Sequence, residues 1–179
     1  HMTTLNPGAV VSVMGPIGQG WSVPSNASKV LLVAGGVGGA PLYLHAEALK
    51  AAHVDMDVVL GAQTEKALVV EDRYKTLLGK DLLIATDDGS KGRKGFCTEV
   101  VKDCIQAQNY DYVYCCGPEP MMRIVSELCL EAGLPTFISL EKRMACGIGA
   151  CLSCIVETKQ GRKRSCVDGP VFDAAEVIW

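Results

Sequence analysis

Cys146, Cys151, Cys154 and Cys166, four of the nine cysteines, follow the pattern C-x4-C-x2-C-x11-C. Three thiols so close in sequence must wrap a compact group, and the C-x4-C-x2-C run is the spacing of plant-type [2Fe–2S] proteins. Gly147, Gly149 and Ala150, which lie between the first two, suit a backbone that turns sharply and aims N–H groups at sulfur. The alternative is a structural zinc site, whose usual signature is two short C-x2–4-C pairs rather than such a run with a distant fourth cysteine. Cys97, Cys104 and Cys129 fall on expected helices, where a small buried hydrophobe is common and packing is the simple explanation.

A second group of residues could hold a nucleotide. Leu31-Leu32-Val33-Ala34 runs into Gly35-Gly36-Val37-Gly38-Gly39-Ala40-Pro41 and then into a helical stretch. In that strand–turn–helix setting, Gly36, Gly38 and Gly39 would let a pyrophosphate approach backbone N–H groups at the positive end of a helix. Pro41 stands where the dinucleotide fingerprint has its third glycine, and such a turn can also serve tight strand-to-helix packing. Cys116, Gly117 and Pro118 form a second turn at the carboxyl end of an expected strand, where open α/β sheets bind ligands. Electron counting links the two sites. A nicotinamide takes two electrons as a hydride and an iron–sulfur cluster passes them singly, so a flavin is expected in the intact protein to convert between them. No complete flavin site is legible in the sequence.

The elements that must position these residues follow from periodicity. Short β-rich runs at 30–34, 56–60, 82–86, 112–116 and 136–139 alternate with helical stretches at 41–52, 96–106 and 120–132, the last stopped by Gly133. That alternation predicts an α/β domain with a parallel sheet, here residues 29–139. Beyond residue 140 the chain turns to small residues and cysteines, with short strands at 154–158 and 162–166 around Lys159-Gln160-Gly161, a small β-rich cluster domain over 140–179. Residues 1–28 read as the remnant of another domain and a linker, with 10–14 as its last strand, and His1-Met2 as the scar of a removed tag. The most apolar segment, 30–44, is broken by four glycines and a proline, and a net charge of −3 favours neither membrane nor nucleic acid. Cysteine-rich but without a secretory segment, the chain is expected in a reducing cytoplasm.

Together these pieces resemble the electron-transfer subunit of type B dihydroorotate dehydrogenase, within the ferredoxin–NADP reductase superfamily. The resemblance rests on Gly15-Pro16-Ile17-Gly18-Gln19-Gly20-Trp21, on the two turns above, on the run from Ser139 through Arg143-Met144-Ala145-Cys146 to Cys151, and on Cys166-Val167-Asp168-Gly169-Pro170-Val171-Phe172-Asp173. It implies an FAD-binding β-barrel, an NAD-binding α/β domain and a C-terminal [2Fe–2S] domain, with the barrel almost wholly outside this sequence. It also implies a separate FMN-containing catalytic subunit, in a heterotetramer. Electrons from dihydroorotate would pass through the cluster to FAD and then to NAD, in pyrimidine biosynthesis. Gly36, Gly38 and Gly39 would lie under the NAD pyrophosphate, and Cys116 and Gly117 near the nicotinamide. Gln63-Thr64-Glu65-Lys66 offers no arginine for a 2′-phosphate, which favours NAD over NADP. A sibling reading is the small subunit of an NADH-dependent ferredoxin:NADP oxidoreductase or a diaphorase. A non-redox, metal-stabilised interaction module is the reading from another class.

Overall fold

The computed structural model describes residues 2–179; His1, half of the expected tag scar, lies outside them. Strand β1 (Lys29–Gly35), helix α1 (Gly39–Ala51), β2 (Asp55–Ala62), α2 (Glu71–Leu78), β3 (Leu83–Thr86), β4 (Arg93–Lys94), α3 (Cys97–Ala107), β5 (Tyr112–Cys116), α4 (Glu119–Glu131) and β6 (Thr136–Ser139) follow in chain order. The remaining strands are β7 (Ile155–Thr158), β8 (Gly161–Arg164) and β9 (Val171–Asp173).

β1 is buried on both faces, which is why Val30-Leu31-Leu32-Val33-Ala34 reads as an unbroken apolar run rather than an alternating one. It lies parallel between β2 and β5, in a seven-stranded sheet of order β4-β3-β2-β1-β5-β6-β9. One apolar layer joins Leu32, Leu42, Leu49, Val58 and Tyr74 on one face, and the other joins Val33, Val101, Val113, Val125 and Ile138. The parallel α/β expectation is borne out. No helix among the described residues is long and apolar enough to cross a membrane.

Four elements depart from the sequence expectation, one of them the two-residue β4, which extends the sheet edge beside β3. Helix α2 was not expected, yet a parallel β2–β3 pair needs a crossover, and this one ends on Gly79 at φ +66° as a left-handed cap. The short β9 pairs antiparallel with β6, so the cysteine-rich tail contributes an edge strand to the main sheet while β7 and β8 form a separate hairpin. Residues 10–14, expected as a strand, have no ladder partner among the described residues, and Val10 is 98% exposed. A strand exists only when paired, and alternation in one segment cannot supply the second.

Candidate functional site

The sheet order reverses at the β1/β5 junction, and the crevice outside the carboxyl ends of the strands at such a point is where open α/β sheets take ligands. A cleft of about 580 Å³ opens there, lined by Gly35, Gly36, Val37, Gly38 and Pro41 after β1, by Cys116, Gly117 and Pro118 after β5, and by Ser139, Leu140, Glu141, Met144 and Pro170. A second hollow of about 310 Å³ continues it past Glu119, Lys142 and Arg143, sharing Gly117, Pro118, Leu140 and Glu141. Both fall within the size range of small-molecule and cofactor sites.

The glycines of the first turn divide their work. Gly36 adopts φ +53° and faces open space, so it is the position where a phosphate could approach the backbone. Gly38 has ordinary helical angles, φ −60° and ψ −16°, but a Cβ there would lie 2.2 Å from the Cys116 carbonyl oxygen. Its missing side chain is spent on packing the turn against β5. Gly39 faces Val69 and Val70 and does not line the cleft; its carbonyl accepts a 2.9 Å hydrogen bond from the buried Tyr74 hydroxyl, which anchors the first turn of α1.

Cys116 is nearly buried at the cleft floor. Burial pushes its thiol up, a hydrogen bond with Ser139 works against that, and the Glu141 carboxylate adds to the rise. The thiol is therefore neutral, a packing and hydrogen-bonding group rather than a nucleophile. Ser139, Leu140, Glu141, Met144 and Pro170 were not singled out by residue type. Their signal in sequence is membership of the runs from Ser139 to Cys151 and from Cys166 to Asp173 that carry the family resemblance, and they lie at the end of β6, within five residues after it, and directly before β9.

The four cysteines stand in two pairs. The Cys151 N–H points at the Cys146 sulfur across 3.4 Å. That hydrogen bond, with others from the Ile148 and Ala150 N–H groups and the Cys151 thiol, holds the Cys146 thiol down at about 6. The Cys166 N–H likewise lowers Cys154, whereas burial and the neighbouring Cys154 raise Cys166. The backbone that achieves this uses left-handed residues at Gly147 (φ +70°), Gly149 (φ +80°) and Leu152 (φ +58°). Arg164 closes the loop from the other side, with Nη1 3.4 Å from the Gly149 carbonyl oxygen and its own N–H on the Asp168 carboxylate at 2.8 Å.

Cys154 and Cys166 are buried, while Cys151, Ile148 and Leu152 are exposed, so one edge of the quartet faces outward. Among the described residues, no three His, Cys, Asp or Glu side chains gather as a single-ion site would gather them. Four thiols with backbone amides aimed at sulfur have the donor set and the hydrogen bonding that an iron–sulfur cluster requires. The quartet also adjoins the nucleotide cleft. Met144 lines the cleft and Cys146 follows two residues later, a separation of at most about 7 Å along the chain.

Comparison with known proteins agrees with both halves. Residues 141–178 match the family described as the iron–sulfur cluster binding domain of dihydroorotate dehydrogenase B, and residues 32–127 the oxidoreductase NAD-binding domain. The chain is 42% identical over 177 residues to the dihydroorotate dehydrogenase B (NAD(+)), electron transfer subunit, of Clostridium acetobutylicum, covering 99% of this chain and 68% of that one. The subunit of the same name from Clostridium perfringens is also 42% identical, covering 99% and 70%. Among solved structures, one describing flavin-based electron bifurcation in the NADH-dependent reduced ferredoxin-NADP oxidoreductase superposes with a TM-score of 0.84 at 37% identity, over 94% of this chain and 60% of that chain. The cytochrome b5 reductase domain of Ulva prolifera nitrate reductase, at TM-score 0.61 and 21% identity over 74% of this chain and 58% of that one, shares the fold. With this identity sustained along nearly its whole length, and with a nucleotide cleft abutting paired thiols, the chain belongs to the family of dihydroorotate dehydrogenase B (NAD(+)) electron transfer subunits.

Proposed function

We propose that this chain relays electrons between a [2Fe–2S] cluster held by Cys146, Cys151, Cys154 and Cys166 and an NAD bound in the cleft at the β1/β5 junction. The observation that carries the reading is the placement of paired thiols within two residues of that cleft, because electron transfer needs the carriers close and held rigid. When bound, the cluster supplies one-electron transfer. The chain's own residues hold the sulfurs as two pairs, aim the Cys151, Ile148 and Ala150 amides at Cys146, and shield the Cys154–Cys166 pair from water. On the nucleotide side, Gly36 leaves room for the pyrophosphate, and Cys116, Gly117 and Pro118 floor the part of the cleft nearest the cysteine segment.

A flavin is needed between the hydride carrier and the one-electron carrier, and no barrel that would hold it is found among the described residues. The reading assigns FAD to the family's barrel domain. The electrons would come from dihydroorotate oxidation at an FMN-bearing catalytic subunit, assembled with this one as a heterotetramer in a reducing cytoplasm, as a step of pyrimidine biosynthesis. NAD rather than NADP fits the segment after β2, where Glu65 offers a carboxylate and Lys91 is occupied by Glu65 at 3.3 Å and Glu71 at 2.9 Å. The likeness to the ferredoxin-NADP oxidoreductase structure supports a second reading, a small subunit serving a ferredoxin-linked partner.

The test is an anaerobic visible spectrum with iron and acid-labile sulfide assays, followed by dihydroorotate-driven NAD reduction by this chain joined to the family's FAD-binding barrel, with the FMN subunit supplied. Equal iron and sulfide, bleaching by dithionite and partner-dependent NADH formation are expected. A colourless protein with bound zinc would refute the redox reading. A coloured protein that reduces NAD only from ferredoxin would favour the second.

A further inference from the structure

The segment 18–23 bridges the nucleotide domain and the cysteine loop, and both of its ends are held. At one end the Gln19 N–H donates to the Gly169 carbonyl oxygen at 2.5 Å, and the Val171 N–H donates back to the Gln19 carbonyl oxygen at 3.4 Å. Gly18 adopts φ +71°, and a Cβ there would lie 2.0 Å from the Gly169 oxygen and 3.2 Å from the Ser165 oxygen. The backbone of residues 18 and 19 thus sits directly on the loop 165–170 that carries Cys166. At the other end Trp21 stacks on His45 with ring centroids 5.6 Å apart and meets the edge of Tyr114 at 5.7 Å, while the Ser22 carbonyl oxygen accepts the Tyr114 hydroxyl at 3.0 Å. His45 lies in α1 and Tyr114 in β5, the two elements whose ends frame the cleft. Only two residues separate Gln19 from the Trp21–Ser22 anchor at most, so the connection has no slack.

Resting on the reading of Cys166 as a ligand, we propose that residues 18–21 are a positioning strap that fixes the Cys166 loop, and with it the Cys154–Cys166 pair, relative to the nucleotide cleft. The strap works through backbone atoms and through the absence of a side chain at Gly18. The Gln19 side chain is exposed and takes no part in the strap. Cys166 follows Ser165, whose N–H donates to the Cys154 carbonyl oxygen at 2.9 Å, so a shift of the loop would move both sulfurs of the pair. Metal–sulfur bonds tolerate only a few tenths of an ångström, far less than the displacement a clash at 2.0 Å would force.

The experiment compares full-length holoprotein with its Gly18→Ala and Gln19→Ala variants, each reconstituted with iron and sulfide. Gly18→Ala is expected to lose its cluster to a chelator about tenfold faster than wild type and to shift the midpoint potential and EPR line positions of the cluster that remains. Its far-UV circular dichroism should be unchanged, because Gly18 is outside the sheet core. Gln19→Ala should match wild type throughout. Wild-type potential, spectrum and chelator rate in Gly18→Ala would overturn the strap, as would the same defect in Gln19→Ala. Should Gly18→Ala not be recovered, amide hydrogen exchange on the wild type decides: the Gln19 amide is expected to exchange as slowly as that of Ser165, and unprotected exchange at Gln19 overturns the proposal. Wild-type protein that takes up no iron and sulfide would instead refute the ligand reading on which the strap rests.

Discussion

Two alanine substitutions, two residues apart in one turn, should fail in opposite ways. In Gly38→Ala the backbone angles, φ −60° and ψ −16°, suit any residue, but the new methyl would stand 2.2 Å from the Cys116 carbonyl oxygen and 2.9 Å from the Gly117 nitrogen. Backbone atoms of a central strand cannot rotate away, so the cost should reach the upper part of the ~1–3 kcal/mol range for overpacking. For a chain of this length that lowers the melting temperature by roughly 5–10 °C. In Gly36→Ala the methyl meets nothing within 4 Å, and the penalty is the left-handed φ of +53°. That costs about 1–2 kcal/mol, partly offset because alanine narrows the unfolded ensemble. The Gly36 methyl would, however, project where the pyrophosphate is placed, and NAD affinity should fall about tenfold or more, equivalent to at least ~1.4 kcal/mol of lost binding. Thermal denaturation without nucleotide, paired with calorimetric titration of NAD, separates the two effects. Gly38→Ala with wild-type stability would refute the packing argument. Gly36→Ala with wild-type NAD affinity would place the pyrophosphate elsewhere.

Three further outcomes are expected. Cys151→Ser should abolish or severely weaken cluster binding, read as iron and sulfide per chain, while circular dichroism shows an intact α/β domain; full iron and sulfide content would sink the ligand assignment. Replacing the exposed Ile148 and Leu152 by lysine should weaken complex formation with the catalytic subunit in analytical ultracentrifugation, because these side chains sit on the outward edge of the cysteine loop; an unchanged complex would argue against that surface. At the opposite end of the sheet, burial works to raise the Asp57 carboxyl, but hydrogen bonds from Lys80, Tyr110 and Lys29 outweigh it and hold it below the usual range. A depressed carboxylate contributes stability that is present above its unfolded pKa and lost as the pH falls through its folded value, so Asp57→Asn should flatten the acid limb of the stability profile below about pH 4. An acid limb as steep as wild type in urea titrations across that range would count against the assignment.

Much of the fold was legible because its signals are local. Uninterrupted apolar runs marked β1 and β5, and Gly133 marked the end of the helix before β6. The spacing of Cys146, Cys151 and Cys154 named a kind of cofactor, because close thiols can wrap only a compact group. Helix α2 was missed although Glu71 and Asp72 at its first turn and Gly79 at its end are helix signals, since eight residues give too short a period to stand out. The segment 10–14 alternates like a strand, but alternation states only which faces differ, and pairing needs a neighbour.

What the sequence by itself determined is therefore the inventory: a parallel α/β nucleotide domain, a glycine turn at its first strand, and four cysteines spaced for an iron–sulfur cluster. Tertiary structure alone decided how the inventory is used. It grouped the thiols as Cys146 with Cys151 and Cys154 with Cys166, left Gly36 open toward the cleft while packing Gly38, which also lines it, against Cys116, and brought Ser139 and Glu141 beside Cys116. It also seated Gly18 and Gln19 on a loop some 150 residues further along the chain, at Gly169. Each of these depends on atoms distant in sequence meeting within a few ångströms, and neither periodicity nor spacing carries that information, because both describe only a residue's neighbours along the chain.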